Sequence, residues 1–293
     1  MEKIDILTGV NPVNYEYFFY FVDNFRKMSS GQVELNFKVL TGPARGRQEF
    51  TCNQRQINAI RSKNVEVIDG NHLSGLGESL NHFVSNLSNE TNVLISDIDV
   101  AMVKKNWDIE SLELLKTHDV LGLPFEESSA LKLGASPNNA IRPQKTPSVI
   151  WMMFKNNNPA WKNLDFTHSK DEESTISQLE TSIYNIPEGF YVAKDVGWRI
   201  PSFLKQNKLS HFAMTNINRH SPLPPIMFSG IPTDLPWGDG TGKSGWLCDE
   251  GVINGVPFLA HQKLSQRWQF KGSNISKVFY DTVDAYINKS YGI

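Results

Sequence analysis

Residues 92–103 read NVLISDIDVAMV: an apolar run, two acids separated by one isoleucine, and a second apolar run. The first run predicts a short buried strand, because a few apolar residues bounded by polar ones are typical of strands. In extended chain, residues i and i+2 point to the same side, so Asp97 and Asp99 can face one ligand while Ile98 anchors in the core. Two neighbouring carboxylates are costly to bury without a cation. We therefore expect them to hold a hard divalent ion, Mn²⁺ or Mg²⁺, which would also bind a diphosphate.

Upstream of this motif, strand and helix patterns alternate. The predicted strands are 4–7, 33–40, 65–68 and 92–95, and the predicted helices lie within 11–28 and 73–87. The order β-α-β-β-α-β favours a mostly parallel sheet with helices on its faces. Ligands of such sheets bind beyond the carboxyl ends of the strands, where Thr8-Gly9, Asp69 and the Asp97-Ile98-Asp99 motif are expected to lie. These residues can therefore converge in one crevice.

The downstream half is less regular. Its predicted elements are strands at 120–125 and 148–154, helices at 174–184, 196–206 and 275–287, and a long loop at 221–251. We expect the helix at 196–206 to be interrupted near Pro201. The loop is rich in Pro, Gly and Trp, and long ordered loops often close over a ligand. Lys243 in this loop is a candidate contact for a diphosphate.

Composition excludes several classes of protein. The 293 residues include 29 basic and 31 acidic side chains, a formal net charge of −2, which gives no general attraction to duplex nucleic acid or to an acidic membrane. The two cysteines are far apart and form no CxxC motif, which favours a reducing compartment. No apolar stretch approaches the roughly 18 residues needed to span a bilayer, and the first ten residues indicate a strand and not a signal peptide. We expect a soluble, cytoplasmic protein.

Five segments together resemble the GT-A family of nucleotide-sugar-dependent glycosyltransferases, which carry an Asp-X-Asp motif. They are KIDILTGV (3–10), GLGESLNHFV (75–84), NVLISDIDVAMV (92–103), KDVGWRIPSFLKQ (194–206) and PFLAHQKLS (257–265). The resemblance extends over most of the chain. It implies a GT-A-like α/β fold of the Rossmann type in a single domain, 1–293. Residues 1–105 would form the nucleotide-binding half, and 106–293 the acceptor-binding half with the C-terminal loop and helix.

The resemblance also implies roles for individual residues. Thr8, Gly9 and Val10 would lie against the base and ribose of the donor, and Asp69 would hydrogen-bond one of them. Asp97 and Asp99 would hold the ribose and the metal, with Asp99 in direct metal contact. His261 would complete the metal coordination, and Asp195 would be the acceptor-side acid that inverting members use as general base. The implied activity is transfer of a hexose or pentose from a nucleotide sugar, expected to be UDP-linked, to a hydroxyl of a glycan, a protein or a modified base.

For several of these residues a structural role is the alternative. His261 follows an apolar run and fits a hydrogen-bonded core residue, Asp195 fits the N-cap of a helix starting at Val196, and Asp69-Gly70 fits a turn. Glu180, or one of the acids at 171–173, could replace Asp195 as the base. The sequence leaves these alternatives open.

Rival activities fit the sequence less well. A haloacid-dehalogenase phosphatase carries its Asp-X-Asp at the end of the first strand and continues to a Thr, whereas Val100 follows here. The stretch 238–244 resembles a P-loop, but the required first glycine falls on Trp237. A nucleotidyltransferase usually has a basic residue in the loop after the first strand, and residues 8–12 have none. A non-catalytic carbohydrate-binding protein of the same fold is the remaining alternative.

Overall fold

The structure is a computed structural model. It describes residues 1–42, 51–70, 75–87, 91–125, 140–141, 145–167, 191–192, 196–218, 221, 223–229, 248–262 and 275–293.

Helices and strands alternate through the first hundred described residues and become less regular thereafter. The helices are α1 (Tyr17–Met28), α2 (Gln54–Arg61), α3 (Leu76–Asn86), α4 (Trp107–Leu114), α5 (Ile200–Gln206) and α6 (Ile275–Tyr291), with a 3-10 turn at Pro159–Asn163. The strands are β1 (Lys3–Val10), β2 (Glu34–Thr41), β3 (Glu66–Asp69), β4 (Asn92–Ser96), β5 (Val100–Met102), β6 (Val120–Pro124), β7 (Ala140–Ile141), β8 (Pro147–Lys155), β9 (Tyr191–Val192), β10 (His211–Ala213), β11 (Thr215–Ile217), β12 (Cys248–Ile253) and β13 (Val256–Gln262). None of the helices in these ranges is long and apolar enough to cross a membrane.

A seven-stranded sheet in the order β10-β6-β8-β4-β1-β2-β3 forms the centre of the fold. β1 is parallel to both β2 and β4, and β2 is parallel to β3. β8 is antiparallel to both β4 and β6, and β10 is parallel to β6, so β8 alone runs against the other six. The predicted α/β fold with a mostly parallel central sheet is therefore confirmed.

Both faces of this sheet are buried. Along β4, Leu94 packs on the face covered by α1, in the cluster that contains Phe21. Its neighbours Val93 and Ile95 pack on the opposite face, in the cluster that contains Phe83 of α3. This alternation follows from the two-residue period of a strand. It explains why parallel strands covered on both faces are continuous apolar runs.

Helix α2 was not predicted, so the predicted order β-α-β-β-α-β is wrong and the observed order is β-α-β-α-β-α-β. The helix begins with a capping box. The Asn53 side chain accepts from the Gln56 backbone N–H, and the Gln56 side chain accepts from the Asn53 N–H. An Asn followed three residues later by Gln is a known start signal, so the sequence did contain the information. The helix predicted at 196–206 begins only at Ile200, with Pro201 in its first turn, where proline favours a helix.

A second sheet of four strands, in the order β11-β12-β13-β5, was not predicted. Its pairs are antiparallel. Part of the loop expected at 221–251 is in fact the start of β12, since that strand begins at Cys248. The chain passes from the large sheet to the small one at two places, between β4 and β5 and between β10 and β11. The first crossing is the Asp97-Ile98-Asp99 motif.

Candidate metal centre

The Asp97-Ile98-Asp99 motif is a tight turn between β4 and β5. The Val100 backbone N–H donates to the Asp97 carbonyl oxygen at 3.3 Å, and the Asp97 N–H donates to the Ile150 carbonyl oxygen of β8 at 2.8 Å. The Ile98 side chain is buried and anchors the turn. Asp99 is only 5% exposed, so its carboxylate is held in a largely water-free environment.

The second sheet brings His261 to this turn. β13 pairs with β5 so that His261 lies opposite Val100. The Gln262 backbone N–H donates to the Asp99 carbonyl oxygen at 2.9 Å, which fixes the end of β13 against the turn. His261 Nε2 lies 3.5 Å from Asp99 Oδ1. Asp97, Asp99 and His261 each offer one ligand atom, and these atoms lie within 4.8 Å of one another.

The charges around His261 favour a cation. Burial by itself lowers the pKa of the imidazole, but the charge of Asp99 and the hydrogen bonds and charge that Asp249 and Asp99 supply outweigh burial and raise it to about 10. The Nδ1 atom of His261 lies 3.3 Å from Asp249 Oδ2. Without a metal, the protonated imidazole is thus the positive group that the buried carboxylates stabilise. The same negative potential would stabilise a divalent ion at this position.

The residues fit a divalent metal by chemistry as well as by position. Carboxylate oxygens suit Mg²⁺ and Mn²⁺, whereas an imidazole nitrogen is a poor ligand for Mg²⁺. The mixed set of two carboxylates and one imidazole can therefore hold a divalent ion that accepts both oxygen and nitrogen ligands. Three protein ligands also leave positions in an octahedral ion open for oxygens of a bound ligand.

Tyr280 of α6 interacts electrostatically with Asp99 of this site. The Tyr280 hydroxyl is buried and has no hydrogen-bond partner among the described residues. Burial raises the pKa of Tyr280, and the negative charge of Asp99 raises it further. The Tyr20 ring lies 4.1 Å from the Tyr280 ring, and the Tyr20 hydroxyl donates to Asp284 Oδ1 at 2.9 Å. The sequence analysis did not identify Tyr280, because its position in a helical pattern indicates only an apolar contact.

The other predicted donor contacts lie along the carboxyl edge of the large sheet. Thr8 is buried at the end of β1, and its hydroxyl has no hydrogen-bond partner in the part of the chain that is described. The register of β1, β2 and β3 aligns Val10 with Thr41 and Thr41 with Asp69. β3 is three strands from β4, a distance of roughly 14 Å at the usual strand spacing. Asp69 is therefore too far from Asp97 to share a metal ion with it, but not too far to contact the other end of one nucleotide.

Asp69 is the last residue of β3, and the turn considered as its alternative role would extend into residues 71–74, which lie outside the described residues. The Gly70 N–H donates to the Thr41 carbonyl oxygen at 2.7 Å. A Cβ at Gly70 would lie 2.6 Å from Leu40 Cδ2, the end of a side chain that can shift, and 3.0 Å from the Thr41 carbonyl oxygen, so Gly70 packs closely against β2. This backbone pairing of β3 with β2 is compatible with a nucleotide contact of the Asp69 side chain.

Several predicted site residues lie outside the described residues. They are Asp195, Lys243, Glu180, the acids at 171–173 and the P-loop-like stretch at 238–244. Their roles stay predictions from the sequence.

No protein-family model matches the chain, and no curated protein matches it. Solved structures that resemble it include the galactosyltransferase LgtC in complex with donor and acceptor sugar analogues, with 13% identity, a TM-score of 0.46, and coverage of 96% of this chain and 95% of that one. The mannosyltransferase PcManGT from Pyrobaculum calidifontis, in complex with GDP-Man and Mn²⁺, has 10% identity, a TM-score of 0.42, and coverage of 72% of this chain and 54% of that one. The glycosyltransferase GlyE of Streptococcus pneumoniae TIGR4 has 12% identity, a TM-score of 0.40, and coverage of 100% and 64%. Because these TM-scores are below 0.5, the function proposed below depends on the residues of this chain.

Proposed function

We propose that this protein is a metal-dependent glycosyltransferase that moves a sugar from a nucleotide-sugar donor to an acceptor hydroxyl. The observation that carries the proposal is the convergence of Asp97, Asp99 and His261 at the carboxyl end of β4, the middle strand of the seven-stranded sheet. In a sheet of mostly parallel strands, this edge is where nucleotides bind. A metal site at the same edge is suited to the diphosphate of a nucleotide sugar.

Asp99 and His261 would hold the ion directly, and Asp97, at the more exposed side of the turn, would share the ion or contact the donor ribose. The ion would supply Lewis-acid stabilisation of the charge that develops on the departing nucleoside diphosphate. Thr8, Gly9, Val10 and Asp69 would place the nucleoside along the ends of β1 and β3, so that the donor would extend across four strands, from β4 to β3.

The acceptor side of the site depends on residues predicted from sequence. Asp195 would accept the proton of the attacking hydroxyl if the reaction inverts the sugar. Lys243 would lie beside the diphosphate when the loop that contains it closes. We infer a UDP-linked hexose or pentose as donor from the family resemblance, and a cytoplasmic location from the composition.

Thermal stabilisation by nucleotide sugars tests this proposal. Melting temperatures of the wild type and of Asp99→Asn would be measured with UDP-, GDP- and ADP-sugars, each with and without Mn²⁺. A ligand at 100 times its Kd stabilises the folded state by about 2.7 kcal/mol. We expect stabilisation by at least one nucleotide sugar that requires both Mn²⁺ and Asp99.

Asp281→Asn is a matched control, because Asp281 lies on the exposed surface of α6 and pairs with Lys277 one turn away. This variant should respond to donor and Mn²⁺ as the wild type does. If no nucleotide sugar stabilises the wild type, or if the stabilisation is independent of both Mn²⁺ and Asp99, the proposal is wrong.

The phosphate-containing product of the reaction distinguishes the candidate classes of protein. A glycosyltransferase releases a nucleoside diphosphate, a nucleotidyltransferase releases pyrophosphate, and a carbohydrate-binding protein releases neither.

A further inference from the structure

Three strands of the second sheet place Asp249, His261 and the end of the metal-binding turn in one row. Asp249 of β12 lies directly opposite His261 of β13, and His261 lies opposite Val100 of β5, the residue after Asp99. Side chains of directly opposed residues lie on the same face of a sheet and within contact distance. The pairing of the three strands therefore places these residues beside one another.

The two nitrogens of the His261 ring face two different carboxylates. Nδ1 lies 3.3 Å from Asp249 Oδ2, and Nε2 lies 3.5 Å from Asp99 Oδ1. Asp249 is 2% exposed. The three residues whose ligand atoms converge are Asp97, Asp99 and His261, and Asp249 is not one of them. Asp249 therefore lies behind the imidazole, on the side opposite the site.

Asp249 and the next residue of β12, Glu250, make contacts on opposite faces of the strand. Glu250 points to the other face of the strand, where its carboxylate accepts backbone N–H groups of Ile226, Met227 and Phe228 at 2.9 to 3.1 Å. Glu250 thus anchors a neighbouring segment of chain. Asp249 makes its hydrogen bond to the imidazole that faces the metal-binding turn.

We propose that Asp249 is a positioning residue for the metal centre. By accepting the Nδ1–H of His261, it selects the tautomer whose Nε2 lone pair is directed at the carboxylates of the turn, and it holds the ring in that orientation. A histidine that binds a metal commonly donates its other ring N–H to a carboxylate or carbonyl group, and this increases the basicity of the coordinating nitrogen. The proposal rests on the metal site of the proposed function.

Mn²⁺ affinity of Asp249 variants is the first test. Isothermal titration of the purified protein with Mn²⁺ alone should show about 10- to 100-fold weaker binding for Asp249→Ala. Asp249→Asn, which keeps the size of the side chain but not its charge, should fall between Asp249→Ala and the wild type. Glu250→Gln is the matched control, because it perturbs the same strand on its other face. It should keep wild-type Mn²⁺ affinity even if it melts earlier.

The tautomer of His261 is the second test, and a merely structural role would not change it. Long-range ¹H–¹⁵N spectra with Zn²⁺ as a diamagnetic probe identify the protonated ring nitrogen, and His261→Gln assigns the signal. We expect the Nδ1–H form with metal on Nε2 in the wild type, and a mixture of forms in Asp249→Ala.

The outcomes separate this proposal from the one on which it rests. If the wild type binds no Mn²⁺, the metal site and the role of Asp249 are both refuted. If the wild type binds Mn²⁺ and Asp249→Ala matches it in affinity and tautomer, only the role of Asp249 is refuted. If Asp249→Ala and Asp249→Asn both lose all Mn²⁺ binding, as Asp99→Asn does, Asp249 is a metal ligand and not a positioning residue.

Discussion

The two sheets contribute to the candidate site in different ways. The seven-stranded sheet delivers Asp97 and Asp99 within one contiguous motif at the end of β4. The four-stranded sheet delivers His261 by pairing β13 with β5, across more than 150 residues of chain. The first contribution depends on local sequence and the second on the register of strands that are distant in sequence. We expect the most tightly packed position of the large sheet to cost more stability when it is substituted than positions of the small sheet do.

The largest effect is expected in the seven-stranded sheet, at Gly122 of β6. A Cβ there would collide with the Trp151 carbonyl oxygen and lie 2.9 Å from Pro147 Cβ and 3.1 Å from Met152 Cα. Backbone atoms of a central strand cannot move aside, so Gly122→Ala should lower the free energy of unfolding by about 4 kcal/mol or more, or prevent folding. Urea denaturation measures this loss. A loss below about 1 kcal/mol would show that β6 and β8 do not pair as described.

The next largest effect is expected at Glu250 of β12. Burial raises the pKa of this carboxyl group, while three backbone N–H donors act in the opposite direction. Glu250→Ala leaves those buried donors without an acceptor and should cost about 3 kcal/mol of stability. Glu250→Gln keeps an acceptor oxygen and should cost less. Denaturation of both variants tests this order, and equal losses would mean that the carboxylate does not hold the segment at 226–228.

The smallest effect is expected at Gly251, the next residue of β12. A Cβ there would lie 2.9 Å from Leu259 Cγ and 3.1 Å from Leu123 Cδ1, and both neighbours are side chains that can shift. Gly251→Ala should therefore cost only about 1 to 2 kcal/mol, well below the loss at Gly122. Because Leu123 belongs to the large sheet and Leu259 to the small one, the variant also tests their contact. A stability loss as large as that of Gly122→Ala would contradict this comparison.

The difference between the sheets also explains what the sequence could reveal. All strands of the large sheet except β10 were predicted, several of them because strands buried on both faces are apolar runs, such as Val93 to Ile95. β12 reads CDEGVI, and although all six residues are buried, its two acids and glycine are more typical of a loop. Nothing in that stretch indicates that Asp249 will face a histidine twelve residues later, because register between strands is a tertiary property.

The site residues also differ in how far local sequence predicts them. Asp97 and Asp99 could be proposed from local pattern alone, and the structure places them at a strand end as expected. His261 came from the resemblance to a family and not from its own surroundings, in which an apolar run indicates only a buried residue. Tyr280 lies near Asp99 because α6 packs beside α1, a contact that the spacing of residues along α6 does not show.

The central claim is that Asp97, Asp99 and His261 form a divalent-metal site. Crystals grown with Mn²⁺ and UDP, with X-ray data collected at the manganese absorption edge, test it most directly. We predict one strong anomalous peak within about 2.5 Å of an Asp99 oxygen and of His261 Nε2, with the diphosphate of UDP on its open side. Anomalous peaks found only elsewhere, or His261 Nε2 hydrogen-bonded to Asp99 with no ion between the turn and β13, would contradict the claim.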